Sequence, residues 1–380
     1  MYILAGEIGG KKSTFALFTH KIDSAGKRII DAQVKSKTKT FSCEEYEDYC
    51  EKLPMKIEKN SIVPNMIKTF IEQHCDSPEK IYGACLGISG PVNNEQAIID
   101  RSKLKTTFTK NDIKQVLPCK FLPVYLLNDM EAIGYSIFLG NEEEELNKLS
   151  KETHQRDPKD RRALMLVGEG LGKACWYWNE KEEALRPFSS EGGHADYASR
   201  TDDEDKLLKM LREQKKQKGD LSPVSTENVL SETGLVKIYQ YIQKTRGYGN
   251  ESLEQNQSLE QNSKEASQII EKAQQQNDSV CKDALDMFIS IWGAEAGNLA
   301  LWFKAQGGVY IGGITIPIEK LKEGAFMEAF TNKAESHRSY NESISVKIFS
   351  TEDIVLLGAA RFAIDDGFVT KGEAAYGRMN

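Results

Sequence analysis

One theme occurs twice in this chain: an apolar strand, a glycine-rich turn, and a second strand. It first spans Tyr2 to Phe18, where Ile3-Leu-Ala leads through Gly6-Glu-Ile-Gly-Gly-Lys-Lys-Ser into Thr14-Phe-Ala-Leu-Phe. It returns as Ala163-Leu-Met-Leu-Val-Gly-Glu-Gly-Leu-Gly-Lys-Ala-Cys-Trp-Tyr-Trp178. Apolar, β-branched runs bounded by turn residues read as strands. A glycine-rich tip exposes backbone N–H groups, and such concave turns bind anions. The plain alternative at each tip is a tight hairpin with nothing bound. Gly168-x-Gly-x-Gly172 has the outline of a dinucleotide loop, but a helix should follow one, and Lys173 to Trp178 reads as a strand. No Walker sequence occurs anywhere. One such hairpin early in each half predicts a duplicated α/β architecture with a cleft between the halves. A length of 380 residues suits two domains. We expect a small α/β domain over 1–139 plus 351–380, and a large one over 140–350.

Pro123-Val-Tyr-Leu-Leu-Asn-Asp-Met-Glu-Ala132 reads as a short buried strand running into a helix. Asp129 sits at the junction, where open α/β sheets bind ligands. Its plain reading is a helix cap. Tyr82 to Val92 is a second buried strand, ending in the rigid turn Ser89-Gly-Pro, and Ile98 to Lys105 reads as a hairpin-like return. Phe41 to Cys75 is mostly helical in pattern, and Gly140 to Arg162 is a charged loop. Ser189-Ser-Glu-Gly-Gly-His-Ala-Asp-Tyr-Ala198 is the densest polar cluster. There Glu191 and His194 flank two glycines, so the backbone can bend and turn both side chains to one spot.

Helices are expected over Thr201 to Lys218, after the Ser and Thr residues of 222–231, over Lys282 to Lys304, and over Ile354 to Ala363. Gly293 and Gly297 suggest close helix contact, and Gly308 to Pro317 reads as a buried strand. Residues 247–278 carry a tandem Ser-Leu-Glu-Gln-Asn repeat and a glutamine run, and we expect an exposed insertion outside the core.

The formal net charge of −7 argues against nucleic acid or an anionic membrane surface as the main partner. The seven cysteines are scattered, with no C-x-x-C pair and no zinc-ligand spacing. That usage fits free thiols in a reducing compartment. No apolar run is long enough to span a bilayer, and the start lacks a signal peptide's features, so a cytoplasmic protein is expected.

The motifs in their order resemble the bacterial-type glucokinase family, on the actin-like sugar-kinase (hexokinase-like) fold. The carriers are Leu4-Ala-Gly-Glu-Ile-Gly-Gly, Gly87-Ile-Ser-Gly-Pro-Val, Leu127-Asn-Asp-Met-Glu-Ala-Ile-Gly, Ser190-Glu-Gly-Gly-His-Ala-Asp-Tyr-Ala, Glu227-Asn-Val-Leu-Ser, Gly297-Asn-Leu-Ala-Leu, Gly308-Val-Tyr-Ile and Leu356-Leu-Gly-Ala-Ala-Arg. The resemblance implies a two-lobed ATPase fold, a hexose substrate such as glucose, and ATP with Mg²⁺ as cofactors. It implies that Asp129 is the general base for the sugar's primary hydroxyl. Asn128, Glu191, His194 and Glu227 would bind ring hydroxyls, with Ser89 and Lys103 in the same sugar site. The nucleotide phosphates would meet Glu7, Gly9, Gly10 and Lys11 on one turn and Gly168, Glu169 and Gly170 on the other. Gly312 and Gly313 would lie on the adenosine side.

Several positions depart from the family pattern. Glu7 and Lys11 replace the Asp and Thr of the first loop, and Glu169 replaces the Thr of Gly-Thr-Gly. Ile314 stands where the second adenosine-side glycine would fall, and Ser102-Lys103 replaces a Thr-Asn pair. Two readings therefore stay open at this point. One is an active ATP-dependent hexose kinase; the other is a weak or inactive relative kept as a structural or assembly component. A homodimer, or incorporation into a larger assembly, also stays open. In this fold the two glycine-rich hairpins face each other across the phosphates, so Lys11 and Glu169 are expected to form an ion pair there. ATP affinity should then improve when both are returned to Thr together, as measured by nucleotide titration. Tight Mg-ATP binding by the parent chain would remove this idea.

Overall fold

Strands β1 (Tyr2–Ile8) and β2 (Lys12–Ile22) form because buried apolar residues alternate or run continuously between turn residues. They pair antiparallel from Ile3 with Phe18 to Ile8 with Ser13, leaving Gly9 to Lys11 as the turn. β3 (Arg28–Asp31) and β4 (Thr38–Ser42) both pair with β2. β5 (Ile81–Ile88) lies parallel to β1, β6 (Gln96–Arg101) and β7 (Leu104–Thr109) form a separate hairpin, and β8 (Val124–Asn128) lies parallel to β5. The sheet order is β3-β2-β1-β5-β8. The computed structural model describes residues 1–22, 28–31, 38–42, 61–93, 95–101, 104–139, 146–150, 157–246, 259–275, 278–351 and 353–365.

These residues fall into two units, Met1–Glu145 with Thr351–Asn380, and Leu146–Ser350. In the second, the short β9 (Asn147–Lys148) is followed by β10 (Arg162–Val167), β11 (Leu171–Asn179), β12 (Ala184–Ser190), β13 (Val309–Gly313) and β14 (Val346–Ile348). Their order is β12-β11-β10-β13-β14-β9. Antiparallel β10–β11 followed by parallel β13 and β14 repeats the first unit's β1–β2, β5 and β8. The duplication read from the two hairpins is thus present in the strand order itself. It is the α/β architecture of an actin-like ATPase.

The first unit is closed from the far end of the chain. Helix Ile354–Asp365 carries buried Leu356, Ala359, Ala360 and Ala363 on one face. Its Gly358 meets helix Asp129–Leu139 so closely that an added Cβ would lie 1.7 Å from the Ala132 carbonyl oxygen. Phe362 packs edge-on against Tyr125 and Tyr135, and Arg361 donates to the Ser136 carbonyl. The central helix of the second unit, Ser279–Phe303, starts at Asp278, whose carboxylate accepts the Val280 and Cys281 N–H groups. Its Gly293 and Gly297 receive the backbone of Phe326 and Phe330 from the neighbouring helix Ala325–Thr331, the close contact expected of them.

Three expectations change. Phe41 belongs to β4, and among the described residues of 41–75 the helix is Ile62–His74. The 140–162 loop contributes an edge strand, since Asn147 and Lys148 pair with β14. The third correction is larger. Of the supposed exposed insertion, 247–258 and 276–277 lie outside the described residues, but Leu259–Gln274 is a helix of the core. Ala266, Ile269, Ile270 and Ala273 are at most 5% exposed, at the i, i+3, i+4, i+7 spacing of one helix face. The glutamine-rich composition hid a narrow apolar stripe that the neighbouring helices Glu232–Thr245 and Ser279–Phe303 complete.

No described helix is long and apolar enough to cross a membrane. Ile270→Ala should lower stability by about 2–5 kcal/mol in urea unfolding, the usual cost of truncating a packed core residue. A loss below about 0.5 kcal/mol is the surface value and would return this helix to the periphery.

Candidate functional site

In the first unit the parallel strands end together. The register sets Ile8 beside Ile88 and Ile88 beside Asn128. Glu7, Ser89, Asn128 and Asp129 therefore lie at or next to the carboxyl ends of β1, β5 and β8, the edge where α/β sheets take ligands. The Asn128 side-chain amide donates to the Gly90 carbonyl (3.2 Å), and its Oδ1 accepts the Met130 N–H (3.0 Å). Asp129 opens helix Asp129–Leu139, and its Oδ1 also accepts the Met130 N–H, at 2.8 Å. The cap position belongs to Asn128, whose Oδ1 takes the N–H of the second helical residue, and Asp129 stands half-buried as the first helical residue at the strand end. On the other side of the junction, Glu131 Oε2 accepts the Asn128 N–H at 3.3 Å. Burial pushes the Glu131 carboxyl up, the Asn128 N–H opposes this, and the Asp129 charge adds to it.

The β1–β2 turn carries Gly9, Gly10 and Lys11 and is closed by the Gly9 N–H on the Lys12 carbonyl, 3.0 Å. Burial pushes the Glu7 carboxyl above its usual range. Lys12 opposes the rise, while Asp129 and Asp353 add to it. Asp353 was not picked out from the sequence. It holds a left-handed backbone (φ 54°) just before helix Ile354–Asp365, a conformation that Asp tolerates better than most residues. Lys103 lies outside the described residues.

In the second unit Glu191, His194 and Glu227 come together. His194 Nε2 is 3.9 Å from Glu191 Oε2, and Nδ1 is 3.8 Å from Glu227 Oε1. The turn that does this needs its glycines. An added Cβ at Gly193 would lie 2.0 Å from the Leu171 carbonyl oxygen. The Glu227 N–H donates to the Gly193 carbonyl (2.9 Å), and Glu227 Oε2 accepts the Leu171 N–H (2.9 Å). Glu227 is thus fixed through one oxygen, with the other turned towards His194. Glu191 and His194 are 72% and 59% exposed, so a solute can reach their polar atoms.

The second turn, Gly168 to Gly170, is closed by the Gly168 N–H on the Gly170 carbonyl (2.9 Å), with β11 rather than a helix following, as the strand reading required. Glu169 sits at this tip in the second unit, and Lys11 on the corresponding tip in the first. Gly313 has φ 112°, and a Cβ there would lie 1.8 Å from the Val167 carbonyl oxygen, so only glycine fits. A Cβ at Gly312 would run into the Phe349 ring.

Beside this loop lies a pocket of about 290 Å³. Gly313, Ile314 and Thr315 form one wall; Ser267, Ile270, Glu271 and Gln274 of helix Leu259–Gln274 form another. Glu232 also lines it and donates its N–H to the Gly168 carbonyl, 2.8 Å. Sequence reading missed this helix wall; the serial position of Glu232, just after the cap residue Ser231, gave no signal. Among the described residues no group of three or more His, Cys, Asp or Glu could hold a metal ion by itself.

Two α/β units with matching strand order, each carrying a glycine-tipped hairpin, have the frame of the actin-like sugar kinases. The glucokinase family model matches residues 4–366. A glucokinase of Nostoc sp. is 33% identical over 372 residues, covering 94% of this chain and 97% of that protein. The crystal structure of a glucokinase from an Antarctic psychrotroph superposes with a TM-score of 0.70 at 27% identity, covering 95% of this chain and 98% of that one. That of a glucokinase from Balamuthia mandrillaris in complex with glucose gives 0.68 at 15% identity, covering 96% and 94%, a likeness of fold. The chain belongs to the glucokinase family.

Because the folded state holds the Glu7 proton more tightly than the unfolded chain, this group costs stability as pH rises from about 4.5, its unperturbed value, through its raised folded value. Glu7→Gln should therefore raise the Tm at pH 7.5, with the gain shrinking towards pH 4, where both states carry the proton. The same Tm difference at both pH values would rule out titration of Glu7 as its cause.

Proposed function

We propose that this chain is an ATP-dependent glucose kinase that transfers the γ-phosphoryl group to the sugar's 6-hydroxyl. The observation carrying this reading is the convergence of Glu191, His194 and Glu227, with Glu227 tied to the backbone of β11. A hexose offers a ring of hydroxyls, and a site built from fixed acceptors and donors rejects analogues that lack one. Family membership supplies the reaction class.

Asp129 is the proposed base. Phosphoryl transfer leaves the protein mainly positioning and charge stabilisation, so one aligned carboxylate suffices to take the hydroxyl proton. Asn128, held by its bonds to Gly90 and Met130, would position the same sugar, with Ser89 beside it. Lys103 joins the sugar set by resemblance alone.

The turns Gly9–Lys11 and Gly168–Gly170 would receive the phosphates through backbone N–H groups. The 290 Å³ pocket beside Gly313 is the proposed seat of the nucleoside. Mg²⁺, when bound, neutralises charge developing on the transferred phosphoryl group. The residues present suit a hydrated cation: burial and the charges of Asp129 and Asp353 hold the Glu7 proton, and a divalent ion relieves that repulsion. One observation favours the kinase over the inert component: Leu259–Gln274, inside the stretch expected to be an exposed insertion, is a core helix lining the proposed nucleoside pocket. Five described cysteines are free thiols, which suits the cytoplasm.

Asp129→Ala should lower glucose phosphorylation in a coupled assay by about 10²–10⁴-fold. Calorimetry should find glucose binding largely retained. Unchanged turnover would take Asp129 out of the mechanism.

A further inference from the structure

Lys173 is 1% exposed on β11, and none of the roles assigned so far uses it. A lysine with an apolar environment and no partner would be strongly disfavoured. This one is fully engaged. Its Nζ donates to Glu295 Oε1 at 2.5 Å and to the Gly192 carbonyl at 2.9 Å, and it stands 5.7 Å from the centre of the Trp302 ring. The other Glu295 oxygen accepts from Asn298 Nδ2 at 3.0 Å, and Asn298 Oδ1 in turn accepts from Lys333 Nζ at 2.7 Å.

Gly192 is the first glycine of the turn between Glu191 and His194. Its N–H donates to Ser190 Oγ at 2.9 Å, so that both ends of the residue are held. A Cβ added there would sit 3.4 Å from Lys173 Cδ, so the turn lies along the lysine's aliphatic stem. The same strand presents the Leu171 N–H to Glu227. β11 thus holds Glu227 through one residue and the 191–194 turn through another, two positions along on the strand.

A buried ion pair is poor evidence of stability, because desolvation of both charges offsets their attraction. A pair whose cation also grips the backbone of a polar turn can instead set that turn's geometry. We infer that Lys173, anchored by Glu295, is a positioning residue for sugar binding, fixing through the Gly192 carbonyl the turn that carries Glu191 and His194. It touches no substrate. This inference rests on the reading of the 191–194 turn as sugar-binding.

The test is the double variant Lys173→Met/Glu295→Gln, which removes both charges and keeps the side-chain volumes close. Glucose Kd is measured by calorimetry, with steady-state KM and kcat and the Tm alongside. A misplacement of about 1 Å in a site can cost roughly 10²-fold. Glucose Kd and KM should therefore rise about ten- to a hundredfold, with KM for ATP changed less than twofold and the Tm within a few degrees of the parent. A merely structural pair would lower the Tm and leave glucose Kd in place. If the double variant does not fold, Glu295→Gln alone should raise glucose Kd in the same direction, by a smaller factor. Unchanged glucose affinity in a folded variant, while Glu191→Gln weakens it, overturns the inference and leaves the sugar-site reading intact. Unchanged affinity in Glu191→Gln as well overturns both.

Discussion

The parallel register of β1, β5 and β8 is the constraint on which the first unit's chemistry depends. Hydrogen bonding sets Ile8, Ile88 and Asn128 level with one another, so three separate stretches of sequence finish at one edge of the sheet. A one-residue slip would turn each strand's side chains to the opposite face. Nothing local in Asn128-Asp129 could produce that alignment. It comes from the apolar runs that precede them and from helix Ile354–Asp365 packed against helix Asp129–Leu139. Burial raises the proton affinity of Glu7 and of Glu131, and the Asp129 charge adds to both.

The second unit solves a related problem with backbone rather than register. Its polar residues lie on irregular chain, where position must be imposed by hydrogen bonds. Gly193 bonds to Glu227, Leu171 to Glu227, and Gly192 to both Ser190 and Lys173. Each bond has a strand or an anchored side chain at its other end. The exposed side chains Glu191 and His194 are carried by this frame and add little to it.

Much of this was legible in the sequence, for physical reasons. Long apolar runs with glycine-rich ends specify strands and hairpins almost unaided, so the two hairpins and the duplicated order could be read directly. Glu191 and His194 could be paired because two glycines leave few other paths for the chain. The helix Leu259–Gln274 could not be read, since four small or β-branched residues among glutamines and serines make too weak a stripe until neighbouring helices cover it. Lys173 was also unreadable, because a lysine in a strand next to a glycine turn reads as solvent-facing. Its partner Glu295 is 122 residues away, on a largely apolar helix. Glu131 and Asp353 gain their meaning only from charges brought near them by the sheet and the C-terminal helix.

The helix that completes the first unit is built from residues 354–365, whereas that unit's sheet is finished by residue 128. The second unit is one unbroken stretch, Leu146–Ser350. During synthesis, then, the later half of the molecule has its whole sequence in hand before the earlier half does. Val355, Leu356, Ala359 and Ala360, all nearly inaccessible in the finished fold, emerge from the ribosome only after the whole of the second unit. Until they do, the apolar surface they cover on helix Asp129–Leu139 and on β5 stays open to water and to chaperones.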